Sequence, residues 1–316
     1  MTLSSKNVSA IMPVRNGAEF LTNVIQNIEA NMEKNDEIIV INDGSEDCTK
    51  FLVSQWQKRD HRVRLINTDG IGIVSSLNLG LSEASNNLIA RFDVDDSYSI
   101  NRIRRQREEF DSDTGAVFTD YSFFSSKKKF LGIIPTGVFH APTVVSLFNS
   151  QRTPHPSVMF RKDICLSVGG YKSEDFPAED LSLWIRMSNE SKLRGISENL
   201  LSYRLSENSI TGRNRSMARA AKHRVLAKHK INYENINDCL ETWKEIFLMY
   251  ELSTNYAFER KLFMLYDLVT SSTQFEYGSN RKRLNEIRNY LMKNPLLIPK
   301  SLNLFYYKLL RKFARI

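Results

Sequence analysis

The chain has 316 residues, of which 41% are hydrophobic and 25% charged, with a formal net charge of +8. This length allows one large globular domain or two ordinary ones, and the composition argues against a disordered or fibrous chain. No apolar run approaches the roughly eighteen residues of a membrane span, and the polar start does not resemble a signal peptide. Cys48, Cys165 and Cys239 lack metal-ligand spacing and leave one cysteine unpaired, so a reducing cytoplasm is expected.

The positive charge is concentrated in the last third of the chain. Residues 211–316 hold 20 Lys or Arg against 9 Asp or Glu, whereas residues 1–210 hold 24 against 27. Such an asymmetry favours contact between the C-terminal part and an anionic surface, either phospholipid or nucleic acid. We therefore predict a boundary near residue 210, between an acidic front region and a basic C-terminal region that reads as almost entirely helical.

Strand and helix patterns alternate along the first hundred residues. The strand patterns cover Val8–Met12, Glu37–Asn42, Val63–Asn67 and Leu88–Asp93. The helical patterns between them cover Ala18–Asn31, Asp47–Arg59 and Ile73–Ala84. Repeated βα units predict right-handed crossovers and a mostly parallel sheet, which places the chain in the α/β class. Ligands bind beyond the carboxyl ends of such strands, and polar signatures follow strands one, two and four.

The pattern is mixed after Gly115. Strands are predicted at 116–124, 130–134 and 157–161, followed by a short helix and the turn Gly169-Gly170-Tyr171. A further helix is predicted to start close to Asp180.

An apolar run that starts at Leu88 ends in three carboxylates, Asp93, Asp95 and Asp96. Carboxylates this close repel one another unless a divalent cation or a positively charged partner lies among them. Hard oxygen ligands favour magnesium or manganese, with a phosphate-bearing substrate completing the shell. Taken alone, a solvated loop after a strand would explain the cluster better.

Together with five other motifs, this cluster resembles family 2 glycosyltransferases of the GT-A fold. In the family's order, the motifs are Ile11–Gly17, Ile39–Ser45, Ile89–Asp96, His155–Met159, Val168–Tyr171 and Glu179–Trp184. Each motif is modest alone, but six in order with family-like spacing are specific. The resemblance covers about residues 7–210. It implies a Rossmann-like GT-A sheet with a C-terminal helical extension, and inverting, metal-dependent sugar transfer from a nucleotide-sugar.

The resemblance assigns the donor site to residues that follow the strands. It implies Asp93 near the ribose, Asp95 on a manganese or magnesium ion that bridges the diphosphate, and Asp43 on the base, commonly uracil. Asp43 has the alternative role of a helix N-cap or Asx-turn. The other donor-binding candidates are Pro13, Val14, Arg15, Asn16, Gly72, Asn78, Arg91, Val94 and Arg204.

The acceptor side is predicted around Glu179 and Asp180. The resemblance implies Asp180 as the base that removes the acceptor hydroxyl's proton, with Glu179 bonded to the acceptor or orienting the site. Alternatively, both acids only favour a helix N-terminus. His155 is a candidate metal or phosphate contact or an ordinary loop histidine. Ser206 departs from the histidine that many relatives carry, which leaves a downstream histidine ligand in doubt.

The C-terminal residues form a basic amphipathic pattern. On a helix, the apolar stripe is Leu302, Phe305, Tyr306, Leu309, Phe313 and Ile316, and the basic stripe is Lys308, Arg311, Lys312 and Arg315. Such a helix either lies on anionic lipid or packs on the domain with its charges in water. An earlier basic series, Arg213, Arg215, Arg219 and Lys222, faces lipid diphosphate or solvent.

The leading interpretation is transfer of a hexose or N-acetylhexosamine, from a UDP-linked donor, to a glycan or lipid-linked glycan of a bacterial surface polysaccharide such as O-antigen or capsule. It implies a peripheral position at the inner face of the cytoplasmic membrane. A sugar-phosphate nucleotidyltransferase would show a glycine-rich, basic loop after strand one, unlike Pro13–Asn16. A nucleic-acid-binding module would fit the basic tail, but without a metal the acidic cluster would repel a polyanion, so no nucleic-acid partner is expected.

Overall fold

The computed structural model of the protein describes residues 6–125, 130–134, 153–205 and 215–229. These residues belong to one compact unit, Met1–Ile231. The predicted amphipathic helix at residues 302–316 lies outside the described residues, as do Ser206 and Arg213. None of the described helices is long and apolar enough to cross a membrane.

The first half of the unit consists of the predicted βα repeats. Its strands are β1 (Val8–Val14), β2 (Glu37–Asp43), β3 (Val63–Thr68) and β4 (Leu88–Arg91). Its helices are α1 (Ala18–Asn31), α2 (Thr49–Arg59) and α3 (Ile73–Glu83). The strands pair in parallel in the order β3-β2-β1-β4. All seven residues of β1 are buried, as expected for a parallel strand covered by helices on both faces.

The second half extends this sheet with strands of both directions. In chain order its elements are β5 (Ser97–Tyr98), α4 (Arg102–Glu108), β6 (Thr114–Ser125), β7 (Phe130–Ile134), β8 (Met159–Arg161), α5 (Lys162–Ser167), α6 (Glu179–Ser188), β9 (Lys192–Leu205) and α7 (Arg215–Lys228). Within the described ranges the sheet continues from β4 through β8, β6 and β9 to β5.

The pairing of this second half differs from a purely parallel sheet. Strand β8 runs antiparallel to both β4 and β6, and β5 runs antiparallel to β9, whereas β6 and β9 are parallel. The predicted α/β class is confirmed, with parallel pairing continuous from β3 to β4 and mixed pairing beyond.

Helix α6 is anchored on this mixed part of the sheet by aromatic packing. The Trp184 ring lies edge-on to Phe118 and Phe160, with centroids 5.3 and 5.7 Å apart. All three side chains are buried, with at most 1% of their surface exposed. Aromatic pairs of this geometry add stability beyond the area they bury. They fix the start of α6, which carries Glu179 and Asp180, relative to the strands.

Candidate functional site

The loops after β1 and β2 are bonded to each other. The Asn16 amide donates to Ser45 Oγ at 2.9 Å, and the Glu46 amide donates to Asn16 Oδ1 at 2.8 Å. The Gly17 amide donates to Thr49 Oγ1 at 2.9 Å. Asn16 adopts a positive φ of 53°, a conformation that asparagine tolerates better than most residues. The two loops therefore form one rigid wall.

The remaining residues of the first motif divide between core and surface. Pro13 and Val14 are buried, whereas Arg15 is exposed. A Cβ atom placed on Gly70 would lie 3.6 Å from the Arg15 guanidinium, so Arg15 reaches across to the loop after β3. A Cβ on Gly17 would come within 3.0 Å of Val94. The loop Asp93-Val94-Asp95, called the Asp-x-Asp loop below, therefore lies against this wall. The structure therefore brings the first and third motifs together.

Asp43 braces the loop between β3 and α3. Its Oδ1 accepts hydrogen bonds from Thr68 Oγ1 at 2.6 Å and from the Ile71 amide at 2.7 Å, and its Oδ2 accepts one from the Gly72 amide at 2.9 Å. The side chain is buried. These contacts differ from both alternative roles predicted for Asp43, which were a helix N-cap and an Asx-turn. Gly72 has a φ of 84° with open space on its Cβ side, so this loop presents bare backbone.

Asn78 of α3 holds the glycine turn near residue 170. Its Nδ2 donates to the Tyr171 carbonyl at 2.9 Å, and its Oδ1 accepts from the Tyr171 amide at 3.0 Å. Gly170 has a φ of 63°, and a Cβ there would lie 2.9 Å from Asn78 Oδ1. The amide of Asn78 is thus committed to this turn, and its assignment to the donor pocket stays a prediction without a supporting contact.

His155 packs against aromatic side chains. Its Nε2 and the Tyr171 hydroxyl are 2.8 Å apart, and its ring centroid is 5.9 Å from that of Trp184. Burial and the positive charge of Arg91 lower the pKa of His155 well below its usual value, so the imidazole is neutral. Because Nε2 is already engaged, the metal role predicted for His155 has no contact that supports it.

Arg91 points into the protein. Only 4% of its surface is exposed, it forms an ion pair with Asp93, and it donates to the carbonyl of Phe92. Its charge favours the ionised forms of Asp95 and Glu179, because it lowers the pKa of both carboxyls against the larger effect of burial. Arg91 therefore offsets the negative charge of the nearby acids, and its predicted role in donor binding stays a prediction.

The acids after β4 are held in a poorly solvated environment. Burial, and next the negative charge of Asp93, raise the pKa of Asp95 to about 6. Burial also raises the pKa of Asp96 well above its usual value. Asp96 Oδ1 accepts a hydrogen bond from the Arg204 amide at 2.8 Å, while its buried Oδ2 has no hydrogen-bond partner among the described residues.

Arg204 ties β9 to the Asp-x-Asp loop. Its Nε donates to the Asp95 carbonyl at 2.9 Å, and its guanidinium lies 4.8 and 4.9 Å from the ring centroids of Phe20 and Phe124. Stacking between two aromatic rings fixes the direction of the guanidinium plane. The structure therefore brings Arg204 to the acidic cluster, as a phosphate-binding role requires.

Glu179 and Asp180 lie close enough to Asp93, after β4, for its charge to affect them. Burial raises the pKa of Glu179 to about 7 and that of Asp180 to about 6, and the negative charge of Asp93 adds to both. The Asp180 carboxylate accepts a hydrogen bond from the Leu181 amide at 2.7 Å, and Glu179 Oε2 is buried with no partner among the described residues. An acid from a distant part of the chain, Asp93, thus influences the protonation of both Glu179 and Asp180.

Tyr203 is a pocket residue that the sequence analysis missed. Burial raises its pKa, and the charges of Asp93, Asp95, Asp96 and Asp180 raise it further. Its ring lies 6.2 Å from that of Tyr121, edge-on. Tyr203 lies between the polar residues Ser202 and Arg204 of a strand, and of these only Arg204 was predicted to bind the donor.

The sequence of residues 9–164 matches the family model described as Glycosyl transferase family 2. An uncharacterized glycosyltransferase of Rickettsia bellii is 28% identical over 216 residues, which is 66% of this chain and 30% of that protein. The Escherichia coli UDP-Gal:alpha-D-GlcNAc-diphosphoundecaprenol beta-1,3-galactosyltransferase is 26% identical over 63% of this chain and 74% of its own length. The chain spans about a third of the length of the Rickettsia relatives it matches.

Solved glycosyltransferase structures share the fold. Staphylococcus aureus TarS 1–349 in complex with UDP superposes with a TM-score of 0.55 at 16% identity, covering 94% of this chain and 82% of that one. The mannosyltransferase PcManGT of Pyrobaculum calidifontis, in complex with GDP-Man and Mn²⁺, gives a TM-score of 0.55 at 15% identity, with 90% and 85% covered. The GT-A fold expected from the motifs is confirmed, and residues 9–164 carry the sequence pattern of glycosyltransferase family 2.

Proposed function

We propose that this protein transfers one sugar, with inversion, from a UDP-linked donor to a glycan or lipid-linked glycan acceptor in surface polysaccharide biosynthesis. The observation that carries the proposal is that the charge of Asp93, beside Asp95 in the loop after β4, reaches Glu179 and Asp180 at the start of α6. One group of acids suits the donor and the other suits the acceptor. The Escherichia coli relatives include an enzyme named for O-antigen biosynthesis.

Asp93 and Asp95 would hold the divalent metal. Carboxylate oxygens suit Mn²⁺ or Mg²⁺, and the Asp95 carboxylate accepts no hydrogen bond from any other described residue. No group of three or more His, Cys, Asp or Glu within the described ranges would bind a metal by itself. This fits an ion that takes its remaining ligands from the donor's phosphates and water. When bound, such an ion neutralises the charge that develops on the leaving nucleotide diphosphate.

The polypeptide would contribute orientation on the donor side. The wall formed by the loops after β1 and β2 borders the Asp-x-Asp loop through the contact between Gly17 and Val94. Arg204, held between two aromatic rings, offers its guanidinium to the diphosphate. Asp43 shapes the loop at Gly72 through three hydrogen bonds, and its spare lone pair would accept a hydrogen bond from the uracil ring.

On the acceptor side, Asp180 would act as the base. Inverting transfer requires a group that accepts the acceptor hydroxyl's proton while the hydroxyl oxygen attacks the anomeric carbon. The pKa of Asp180, raised to about 6 by burial, lies close enough to neutral pH for the carboxylate to be both ionised and basic. Glu179, beside it with a higher pKa, is partly protonated at neutral pH and suited to donate a hydrogen bond to the acceptor.

The first experiment measures which donor the protein binds and whether binding needs metal. We expect UDP-hexoses or UDP-N-acetylhexosamines with MnCl₂ to raise the unfolding temperature, and EDTA to abolish the increase. Asp95→Asn should remove the Mn²⁺-dependent part, a loss of about 100-fold or more in donor affinity. Asp113→Asn is the matched control, since Asp113 is exposed and pairs with Lys192. Full metal-dependent binding by Asp95→Asn would exclude Asp95 as a ligand.

The proposed membrane position concerns the basic amphipathic pattern at residues 302–316. Deleting residues 301–316 should lower binding to vesicles that contain anionic phosphatidylglycerol and leave donor binding unchanged, because each basic residue near an anionic surface contributes about 1 kcal/mol. Sedimentation with these vesicles, compared with purely zwitterionic ones, measures the effect. Equal sedimentation of the shortened and full chains would refute a membrane role for this segment.

A further inference from the structure

Helices α6 and α7 both lie beyond the residues that match the family model, and α7 docks directly on α6, which carries Asp180. Lys228 Nζ donates to Asp175 Oδ1 at 2.9 Å, and Ser182 Oγ of α6 donates to Asp175 Oδ2 at 2.5 Å. His229 Nε2 lies 3.3 Å from the same Ser182 Oγ. Asp175 and Ser182 are buried. This network fixes α7 against the first turn of α6, two residues after Asp180.

The face of α7 that meets α6 also carries Lys222. Lys222, Val225 and His229 follow one another at spacings of three and four residues, so they lie on one side of the helix. Val225 is only 1% exposed and His229 contacts α6, whereas Lys222 is half-buried. Lys222 therefore lies on the side of α7 that meets α6, close enough for its charge to affect Asp180. The sequence alone left this basic series undecided between lipid diphosphate and solvent.

The charges around Asp180 are mostly negative. The ionisable groups that influence it or are influenced by it come from five elements or loops and are Asp93, Tyr171, Glu179, Tyr203 and Lys222. Lys222 is the cation in this set, and its charge lowers the pKa of Asp180 against the effects of burial and Asp93. Without it, burial and like charges would favour the protonated acid.

We propose that Lys222 is a positioning residue for Asp180, whose carboxylate form it stabilises, and that α7 is therefore part of the catalytic unit. The inference deepens the proposed function and depends on Asp180 being the base. The residue acts through Asp180 and does not need to touch either substrate. It also means that the functional unit extends at least to Lys228, past the boundary at residue 210 that the charge distribution predicts.

The test measures the titration of Asp180 in the full chain labelled with [¹³C]aspartate. The carboxyl signal of Asp180 is assigned by its loss in Asp180→Asn. Lys222→Gln should move its titration midpoint upward by about half a pH unit or more, since an opposite charge nearby favours the ionised form. Lys222→Arg should restore the midpoint. The acidic limb of the pH–rate profile should move in the same direction, with the affinity for UDP and MnCl₂ unchanged.

Lys228→Gln is the matched control, because it removes the same charge from the same helix at a site paired with Asp175. We expect it to lower the unfolding temperature but to leave the Asp180 midpoint in place. An unchanged midpoint in Lys222→Gln, or an equal shift in Lys228→Gln, would overturn the proposal. Should Lys222→Gln not fold, Lys222→Met keeps the aliphatic stem and carries the same test. Transfer retained by Asp180→Asn would instead refute Asp180 as the base, independently of the midpoint, and absence of transfer by the wild type with every donor tested would refute the proposed function.

Discussion

The loops after β1, β2 and β3, which are proposed to bind the donor, differ from the acidic pocket of Asp93, Asp95, Asp96, Glu179 and Asp180 in how fully their polar groups are hydrogen-bonded. In the loops after β1, β2 and β3, polar groups are paired: Asn16 bonds to two residues of the neighbouring loop, and Asp43 accepts three hydrogen bonds. In the acidic pocket, Asp96 and Glu179 each keep a buried oxygen without a partner among the described residues. Satisfied groups make a rigid surface, whereas unsatisfied acids make a region that gains stability when a ligand arrives.

This difference indicates that the loops are suited to binding and the acids to chemistry. A rigid wall would lose little entropy on binding the proposed nucleotide donor. The acids, by contrast, repel one another until a cation or an acceptor hydroxyl enters, which is how perturbed pKa values come to mark functional sites. Substitutions in the two regions should therefore differ in kind, with losses of chemistry in the pocket and losses of stability in the loops.

The largest effect is expected from Asp180→Asn. The amide cannot accept the acceptor's proton, so the transfer rate should fall by about 10²- to 10⁴-fold. Donor affinity measured with UDP and MnCl₂ should stay within about twofold, because Asp180 lies on α6 and not among the loops after β1 to β3. Glu174→Gln, at an exposed acid near the same helix, is the control and should keep full activity. An equal loss of donor binding and transfer would mean that Asp180 serves the donor.

A smaller effect is expected from pH. Because the proposed base works as a carboxylate and its pKa is raised to about 6, transfer should be nearly constant above this value and fall about tenfold for each unit below it. The inflection belongs to the pair of Glu179 and Asp180 rather than to either acid alone. Single-turnover rates from pH 5 to 8.5, with donor affinity measured at each pH, test this. A flat profile would show that the transfer rate does not depend on the acids whose pKa is raised.

The regular part of this architecture was readable from the sequence. Helix α1 begins and ends at the predicted residues, and the parallel strands lie within two residues of their predicted bounds. The reason is that buried parallel strands and amphipathic helices leave strong periodic signals within one segment. The short strand β8 was predicted two residues too early, since the residues before it, His155–Ser157, form a 3-10 turn.

Contacts between distant segments were not readable in the same way. The bonds from Asn78 to Tyr171 and from Asp43 to the loop at Gly72 join residues of different βα units. Tyr203 enters the pocket because β9 pairs with β6 and β5. Each depends on the order of strands in the sheet, which local pattern does not specify. The resemblance to a family supplied the acids, but the roles of Asn78 and Asp43 came from the structure.

The smallest and sharpest comparison uses the same substitution in both regions and measures stability alone. Asp43→Asn replaces an acceptor of three hydrogen bonds with a group whose NH₂ would face an amide donor, so it should destabilise the protein by about 1–3 kcal/mol. Asp180→Asn should instead stabilise it at pH 8. The folded pKa of about 6 lies above the ordinary value of 3.8, so the ionised acid opposes folding above about pH 6 and does not below about pH 3.8.

The opposite signs can be read from thermal unfolding of the two variants at pH 8 and pH 4. Each kcal/mol corresponds to about 2–4 °C for a unit of this size. The advantage of Asp180→Asn should shrink at pH 4, where the wild-type Asp180 carboxyl is protonated, whereas Asp43→Asn should be less stable than the wild type at pH 8. Destabilisation by both variants at pH 8 would show that Asp180 is held as firmly as Asp43. In that case Asp43 and Asp180 would not differ in the way proposed, with one carboxylate that stabilises the fold and one whose ionised form opposes folding. The reason for expecting chemistry at the start of α6 would be lost as well.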